Sequence, residues 1–272
     1  MSKVTSKLIL LALSILLLSG CTTPSAIPEE TTTPTLETEP TTIPEPIPTT
    51  ATDPIPTTVP EATPTEPEHS PLYIPGLSVE DVITYFNEVC LDAEMVNSGD
   101  ASRLQKWAEP ICYSLEGAPT DRDMEQLEQF TAWLNNIDGF PGISEAQDEA
   151  NLRIHFCTQQ EMLELMGDGF TDMDGAVTFW YSEDEIYDAI ICCRTDLTQE
   201  LRNSVILEEI YNGLGPIQDT CLREDSIIYN DYTEPQALSP VDELILKLLY
   251  HPSMTCGMDA EQCEAVLRQL YY

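Results

Sequence analysis

Residues 197–219 read LTQELRNSVILEEIYNGLGPIQD. We predict a long helix over residues 197–214, because apolar residues recur along it and glycines followed by a proline end it. Its second half carries the adjacent acids Glu208 and Glu209. Helical spacing places Glu208 and Asn212 one turn apart on the same face. This helix is therefore the element around which a site is expected.

Strand and helix patterns alternate through the rest of residues 71–272. Alternating apolar residues predict strands, whereas capping residues followed by apolar residues at helical spacing predict helices. The predicted strands cover residues 110–115, 151–157, 176–181 and 186–193, and further helices begin near Ser78, Thr120, Pro240 and Ala260, with a short one through Met162 and Leu165. The helix after Thr120 is expected to bury Met124, Leu127, Phe130, Trp133 and Leu134. Strands interleaved with helices favour one α/β (α+β) domain built in layers.

Residues 1–20 have the pattern of an export signal. Lys3 and Lys7 precede an apolar run over residues 8–18, and the tetrapeptide LSGC then ends at Cys21. Such a pattern is typical of bacterial lipoproteins, in which the cysteine receives diacylglycerol. A transmembrane anchor is the alternative, but about eleven apolar residues are too few to span about 30 Å of hydrocarbon. The sequence predicts an exported protein, lipid-anchored at Cys21 to the outer face of a bacterial cell membrane.

Residues 21–70 form a segment that cannot build a core. Between positions 22 and 70 the sequence has 12 Pro and 16 Thr, and it has no Gly, Phe, Tyr, Trp, Lys or Arg. Proline at this density favours extended polyproline II over a packed structure. The prediction is a disordered Pro/Thr-rich stalk, which is either a spacer that lifts the domain off the membrane or an inert tail.

The charge and the histidine content exclude several function classes. The chain has 48 Asp plus Glu against 11 Lys plus Arg, for a formal net charge of −37. Nucleic-acid and anionic-lipid binding need basic patches, so neither is expected. Only three histidines occur, and no G-x-S-x-G motif is present, which leaves few places for a Ser-His-Asp or Cys-His catalytic site.

An acidic turn invites comparison with a calcium-binding EF-hand loop. If Gly175 takes the sixth position of the loop, Asp172 and Asp174 take the third and fifth positions. Phe170 and Tyr181 would then occupy the first and twelfth positions, where carboxylates are required. We therefore interpret this segment as a solvated acidic turn.

Eight cysteines remain after the lipid-bearing one: Cys90, Cys112, Cys157, Cys192, Cys193, Cys221, Cys256 and Cys263. In an exported protein they can form up to four disulfides. A zinc site is disfavoured because no C-x-x-C pair exists, and buried free thiols are the other alternative. Cys256 and Cys263 are the best-placed local pair, whereas Cys192 and Cys193, adjacent on a strand, should face opposite sides of the sheet.

The long helix resembles the zinc helix of the metzincin metallopeptidases, H-E-x-x-H-x-x-G-x-x-H, with its histidines replaced. When Glu209 is placed on the motif's glutamate and Gly215 on its glycine, three other residues fall on the ligand positions. These ligand-equivalent residues are Glu208, Asn212 and Gln218. The resemblance implies that Glu209 keeps the place of the general base.

Segments on either side of the helix extend this resemblance. Residues 226–232 resemble the metzincin Met-turn, with Ile228 in place of the methionine, and residues 238–250 resemble the C-terminal helix that follows it. The strands around residues 179–181 and 190–191 occupy the places of the substrate-lining edge strand and its neighbour. The resemblance implies a metzincin-like mixed sheet packed with helices.

A closer resemblance is to the bacterial domain-of-unknown-function family 2927, whose members include putative lipoproteins. Its helix typically reads E-E-L-x-Q-x-L-G, followed by an N-D pair and a serine-isoleucine turn. The matching residues here are Glu208-Glu209, Leu214-Gly215, Gln218-Asp219, Ser226-Ile227 and Asn230-Asp231, whereas Asn212 departs from the usual Gln. The resemblance covers roughly residues 80–260 and brings no established activity with it.

The ligand-equivalent residues decide the predicted function. Catalytic zinc takes three protein ligands and one open site, and the amide oxygens of Asn212 and Gln218 are poor zinc donors. Without a metal-polarised water, Glu209 has little to activate. We therefore predict a non-catalytic domain with no cofactor, which binds a peptide or cell-envelope component or has a structural role. The alternative is a metallopeptidase-like hydrolase with an unusual zinc site and Glu209 as general base.

Overall fold

A computed structural model describes residues 7–10, 70–91, 103–231 and 233–271 of the protein. All of these residues belong to one compact unit. The predicted lipidation site at Cys21 and the predicted stalk before position 70 lie outside the described residues, as does most of the predicted export signal. None of the helices in the described ranges is long and apolar enough to cross a membrane.

The centre of the fold is a mixed sheet of seven strands. These are β1 (Lys7–Leu10), β2 (Lys106–Trp107), β3 (Ile111–Gly117), β4 (Ile143–Glu145), β5 (Leu152–Cys157), β6 (Gly175–Ser182) and β7 (Glu185–Arg194). Their order is β1-β6-β7-β5-β3-β4, and β2 adds to β7 off this path. The strands β7, β5, β3 and β4 run parallel, whereas β6 is antiparallel to β7 and β1 is antiparallel to β6. The predicted α/β (α+β) fold with a mixed sheet is confirmed.

Six helices surround this sheet in the described part of the chain. They are α1 (Val79–Leu91), α2 (Asp121–Leu134), α3 (Gln159–Met166), α4 (Gln199–Gly213), α5 (Pro240–Leu249) and α6 (Ala260–Tyr271). Five of them begin after a Thr or Ser whose side chain accepts a hydrogen bond from a backbone N–H in the first turn: Ser78, Thr120, Thr158, Thr198 and Ser239. These caps satisfy amides that a helix leaves without partners, so the helix starts follow from local sequence.

The two faces of the sheet are covered by different elements. The helix α4 packs on the face that presents Val177 and Ile191, where it contributes to the main hydrophobic core. A second, smaller cluster lies on the other face, under α3 and the short turn at residues 168–170. Cys193 belongs to the main core and Cys192 to the smaller cluster, which confirms that they face opposite sides of the sheet.

The structure corrects the prediction in three places. The short strands β2 and β4 were not predicted, because two or three residues are too few to show an alternating pattern. Met124 is 37% exposed instead of buried. The buried position in the first turn of α2 is taken by its neighbour Asp123, which forms an ion pair inside the protein. The helix α4 begins after Thr198 and so excludes Leu197.

Candidate functional site

The adjacent acids Glu208 and Glu209 lie on the last turns of α4, between this helix and the sheet. Glu209 is only 3% exposed and Glu208 is half-buried. Glu209 packs on the start of β6, where a β-carbon at Gly175 would lie 2.6 Å from its Oε1 atom. The glycine is therefore what lets a carboxyl group approach the strand backbone this closely.

Burial and the neighbouring negative charges raise the pKa of both acids. Desolvation raises the pKa of Glu208 to about 8, with further contributions from the charges of Asp219 and Asp174. Desolvation also raises the pKa of Glu209 well above its ordinary value, and the neighbouring charges of Glu208 and Asp219 add to this effect. Both carboxyl groups therefore hold a proton to higher pH than an exposed glutamate does.

The acid pair makes the stability depend on pH, which Glu208→Gln can test. The pKa of Glu208 is near its ordinary value of 4.5 in the unfolded chain and about 8 in the folded protein. The contribution of Glu208 to stability is therefore fully present below about pH 4.5 and is lost as pH rises to about 8, because in this range the unfolded chain ionises freely while burial keeps the carboxyl group protonated in the folded protein. Urea unfolding should show the variant to be more stable than wild type above pH 8 and similar below pH 4.5. A matched Glu200→Gln change, at an exposed position of α4, should leave the pH profile unaltered.

The ligand-equivalent positions bring together one carboxyl group and two neutral amides. Asn212 is fully buried, and neither polar atom of its amide has a hydrogen-bond partner among the described residues. Gln218 is half-buried, and its backbone N–H donates to the Val89 carbonyl over 3.3 Å, which ties this loop to α1. In the described ranges, no group of three or more His, Cys, Asp or Glu residues could hold a metal ion. Neutral amides beside a carboxyl with a raised pKa do not fit zinc.

The motif residue Gly215 has a packing role. Its φ of +126° lies in a region that favours glycine, and a β-carbon there would lie 2.6 Å from the Gln105 carbonyl oxygen. The indole of Trp107 donates to the Gly213 carbonyl over 2.8 Å, and the Tyr250 hydroxyl donates to the Leu214 carbonyl over 2.7 Å. The end of α4 is therefore fixed by β2 and by the residue that follows α5.

The Met-turn-like segment is held by a buried carboxylate. Asp242, in the first turn of α5, accepts hydrogen bonds from the Ser226 hydroxyl at 2.7 Å and the Ile227 N–H at 3.0 Å. Ser226 in turn accepts hydrogen bonds from the Ile228 N–H and the Tyr85 hydroxyl. Ile228 is fully buried in the main core. Ser226 and Ile228 thus have structural roles, and the sequence reasoning missed Asp242 as their partner.

The edge of β6 already carries an extended segment. Residues Lys7–Leu10 run antiparallel to it, and Lys7 lies opposite Tyr181 while Leu10 lies opposite Thr178. Trp180, on this stretch of β6, is half-buried. The backbone of β6 can therefore pair with a strand on each side, with β7 on one and an added segment on the other.

The acidic turn before β6 is stabilised by an ion pair. Asp174 pairs with Arg194 at 3.1 Å, so the charge of this acidic residue is compensated.

All eight cysteines between positions 90 and 263 are free thiols. Cys256 and Cys263 both lie near the buried ammonium group of Lys106, and their disulfide stays a prediction.

The fold and the site together define a mixed α/β domain. The helix α4, which packs on the sheet, carries an adjacent pair of acids, of which Glu209 is buried and Glu208 is half-buried. A family model described as "Protein of unknown function (DUF2927)" matches residues 79–269. The match covers well over half of the chain, and the chain belongs to this family. No curated protein and no solved structure gives a significant match to the chain.

Proposed function

We propose that the domain binds an extended peptide, from a partner or a cell-envelope component, along the edge of β6. The observation that carries this proposal is the antiparallel pairing of Lys7–Leu10 with Thr178–Tyr181. Addition of a strand to a sheet edge is a general mode of peptide recognition, in which main-chain hydrogen bonds supply the affinity.

Export would make this edge available. We propose that the chain is a cell-surface lipoprotein, cleaved before Cys21 and anchored there by lipid. Cleavage would remove residues 7–10, and the edge of β6 would then need a new partner. The Pro/Thr stalk would present this edge away from the membrane surface.

The bound peptide would pass the acid pair. Leu10 lies opposite Thr178, so a peptide in the same register that continues for three more residues comes level with Gly175. Glu209 packs on that glycine. Burial raises the pKa of both carboxyl groups, and the amides of Asn212 and Gln218 are poor zinc donors, so we propose that the acids shape the floor of a metzincin-like cleft and do not perform hydrolysis.

A peptide titration separates binding from catalysis. The protein starting at Cys21, with Cys21→Ser to keep it soluble, is titrated with the synthetic peptide TSKLIL (residues 5–10) while tryptophan fluorescence reports on Trp180. Saturable binding of equal strength in wild type and Glu209→Gln, with the peptide recovered intact, supports the binding proposal. Cleavage of the peptide that Glu209→Gln abolishes would instead establish the hydrolase alternative.

The metal content gives an independent prediction. Purified residues 71–272 should carry well under one equivalent of zinc by elemental analysis, because one carboxyl and two amides lack the imidazole donors of such a site. A chelator should leave the melting temperature unchanged, since a bound metal would stabilise the folded state by mass action. Stoichiometric zinc that is lost in Glu208→Ala would contradict this prediction.

A further inference from the structure

Two buried cysteines meet on the face of the sheet that is opposite α4. In the parallel register of β5 and β7, His155 lies opposite Cys192 and Cys157 lies opposite Arg194. Side chains alternate along a strand, so Cys157 and Cys192 point to the same face from neighbouring strands. Cys157 lies two residues after His155, the residue directly opposite Cys192, so the two cysteines are diagonal neighbours on this face.

Both cysteines belong to the smaller hydrophobic cluster. Cys157 is 6% exposed and Cys192 is fully buried, and the two are packed among Met162, Phe170, Met173 and Ala176. Cys193 faces the main core on the other side, and Cys112 lies on β3, two strands away from β7. Among the described cysteines, Cys157 and Cys192 therefore share a cluster that contains no other thiol.

We propose that Cys157 and Cys192 form a disulfide that joins β5 to β7 on the α3 side of the sheet. The bond would close a loop that contains α3 and β6. It would thereby tie the peptide-binding edge proposed above to the parallel strands at the centre of the sheet. The inference goes beyond that function and does not depend on it.

The two thiols differ in pKa and in exposure, and these differences indicate which of them reacts first. The contact with the Cys192 thiol lowers the pKa of Cys157, whereas the same contact and burial raise the pKa of Cys192. Cys157 is also the more exposed of the two. It is therefore the sulfur that an external oxidant can reach first as a thiolate.

The oxidant is an external disulfide, such as oxidised glutathione or a disulfide-donating protein of an oxidising compartment. The Cys157 thiolate attacks one sulfur of this disulfide, forms a mixed disulfide and releases one external thiolate. The Cys192 thiol then attacks the Cys157 sulfur, which forms the internal bond, and the released external group takes up the proton of Cys192 and leaves as a thiol. Two protein thiols are oxidised and one external disulfide is reduced to two thiols.

The test is to equilibrate the full chain with oxidised or reduced glutathione, then denature it, alkylate free thiols and digest it without reduction. Mass spectrometry should find a linked peptide pair that contains Cys157 and Cys192, with Cys112 alkylated. Oxidation should raise the melting temperature by several degrees, because the bond restricts the unfolded chain.

The shift in melting temperature should persist in Cys112→Ser, the matched control, and vanish in both Cys157→Ser and Cys192→Ser. If a serine variant does not fold, the linked peptide from wild type still decides the result. Alkylation of both thiols after oxidation, or a bond from either one to a different cysteine, would overturn the proposal.

Discussion

Replacing Asp123 by alanine is expected to lower the free energy of unfolding by about 3–5 kcal/mol, because it leaves a buried charge without its partner. The carboxylate is fully buried in the first turn of α2 and forms an ion pair with Arg202 of α4, which is only 6% exposed. It also accepts hydrogen bonds from the Gln199 amide at 2.7 Å and the Thr120 N–H at 2.7 Å. This cluster joins α2 to the helix that carries the acid pair.

Urea unfolding measures this effect against two controls. Glu243→Gln removes a half-exposed pair with Lys247 at 2.8 Å and should change stability by no more than about 0.5 kcal/mol. The double variant Asp123→Leu with Arg202→Met removes both charges and should recover much of the loss. A loss of less than about 1 kcal/mol in Asp123→Ala would contradict the assigned role of the pair.

Replacing Asp242 by alanine is the second large change, with an expected loss of about 3–4 kcal/mol from several buried groups that lose their acceptor. Asp242 is fully buried and accepts from Ser226, from the Ile227 N–H and from the Ser239 N–H at 2.9 Å. The change therefore removes half of the α5 capping box and releases the Met-turn-like segment together.

The comparison with Ser239→Ala separates these two roles. That variant removes the hydroxyl that caps α5 but leaves Asp242 on the turn, so it should cost about 1 kcal/mol. Thermal or urea unfolding of both variants measures the difference. Equal losses in the two variants would show that Asp242 acts only as a cap.

The local features of the fold could be predicted from the sequence. The start of α2 at Thr120 and the end of α4 at a glycine follow from short-range signals, because caps and breakers act within a few residues. The opposite orientation of Cys192 and Cys193 follows from the two-residue period of a strand. Glu208 and Asn212 lie one turn apart on α4, as the helical period requires.

The features that depend on tertiary contacts could not be predicted. The partners Asp123 and Arg202 are 79 positions apart, and nothing in the local pattern around either residue indicates the other. The same holds for the approach of Glu209 to Gly175, which decides how deeply the acid is buried. The raised pKa of the acid pair is therefore a property of the folded protein that the motif alone does not show.

Backbone N-methylation of the peptide shows whether β6 binds it through main-chain hydrogen bonds, as we propose. In an antiparallel pair, alternate residues direct their N–H groups to the neighbouring strand. Two analogues of TSKLIL are therefore compared with the unmodified peptide: one is N-methylated at Lys7 and Ile9, and the other at Leu8 and Leu10. Both carry the same number of methyl groups, so each controls for the effect of methylation itself.

The measurement is the dissociation constant of each peptide for the protein that starts at Cys21. We expect one analogue to bind about as well as TSKLIL, because its methyl groups face away from β6, and the other to bind at least tenfold more weakly. Equal affinities of the two analogues, whether strong or weak, would contradict strand addition to β6.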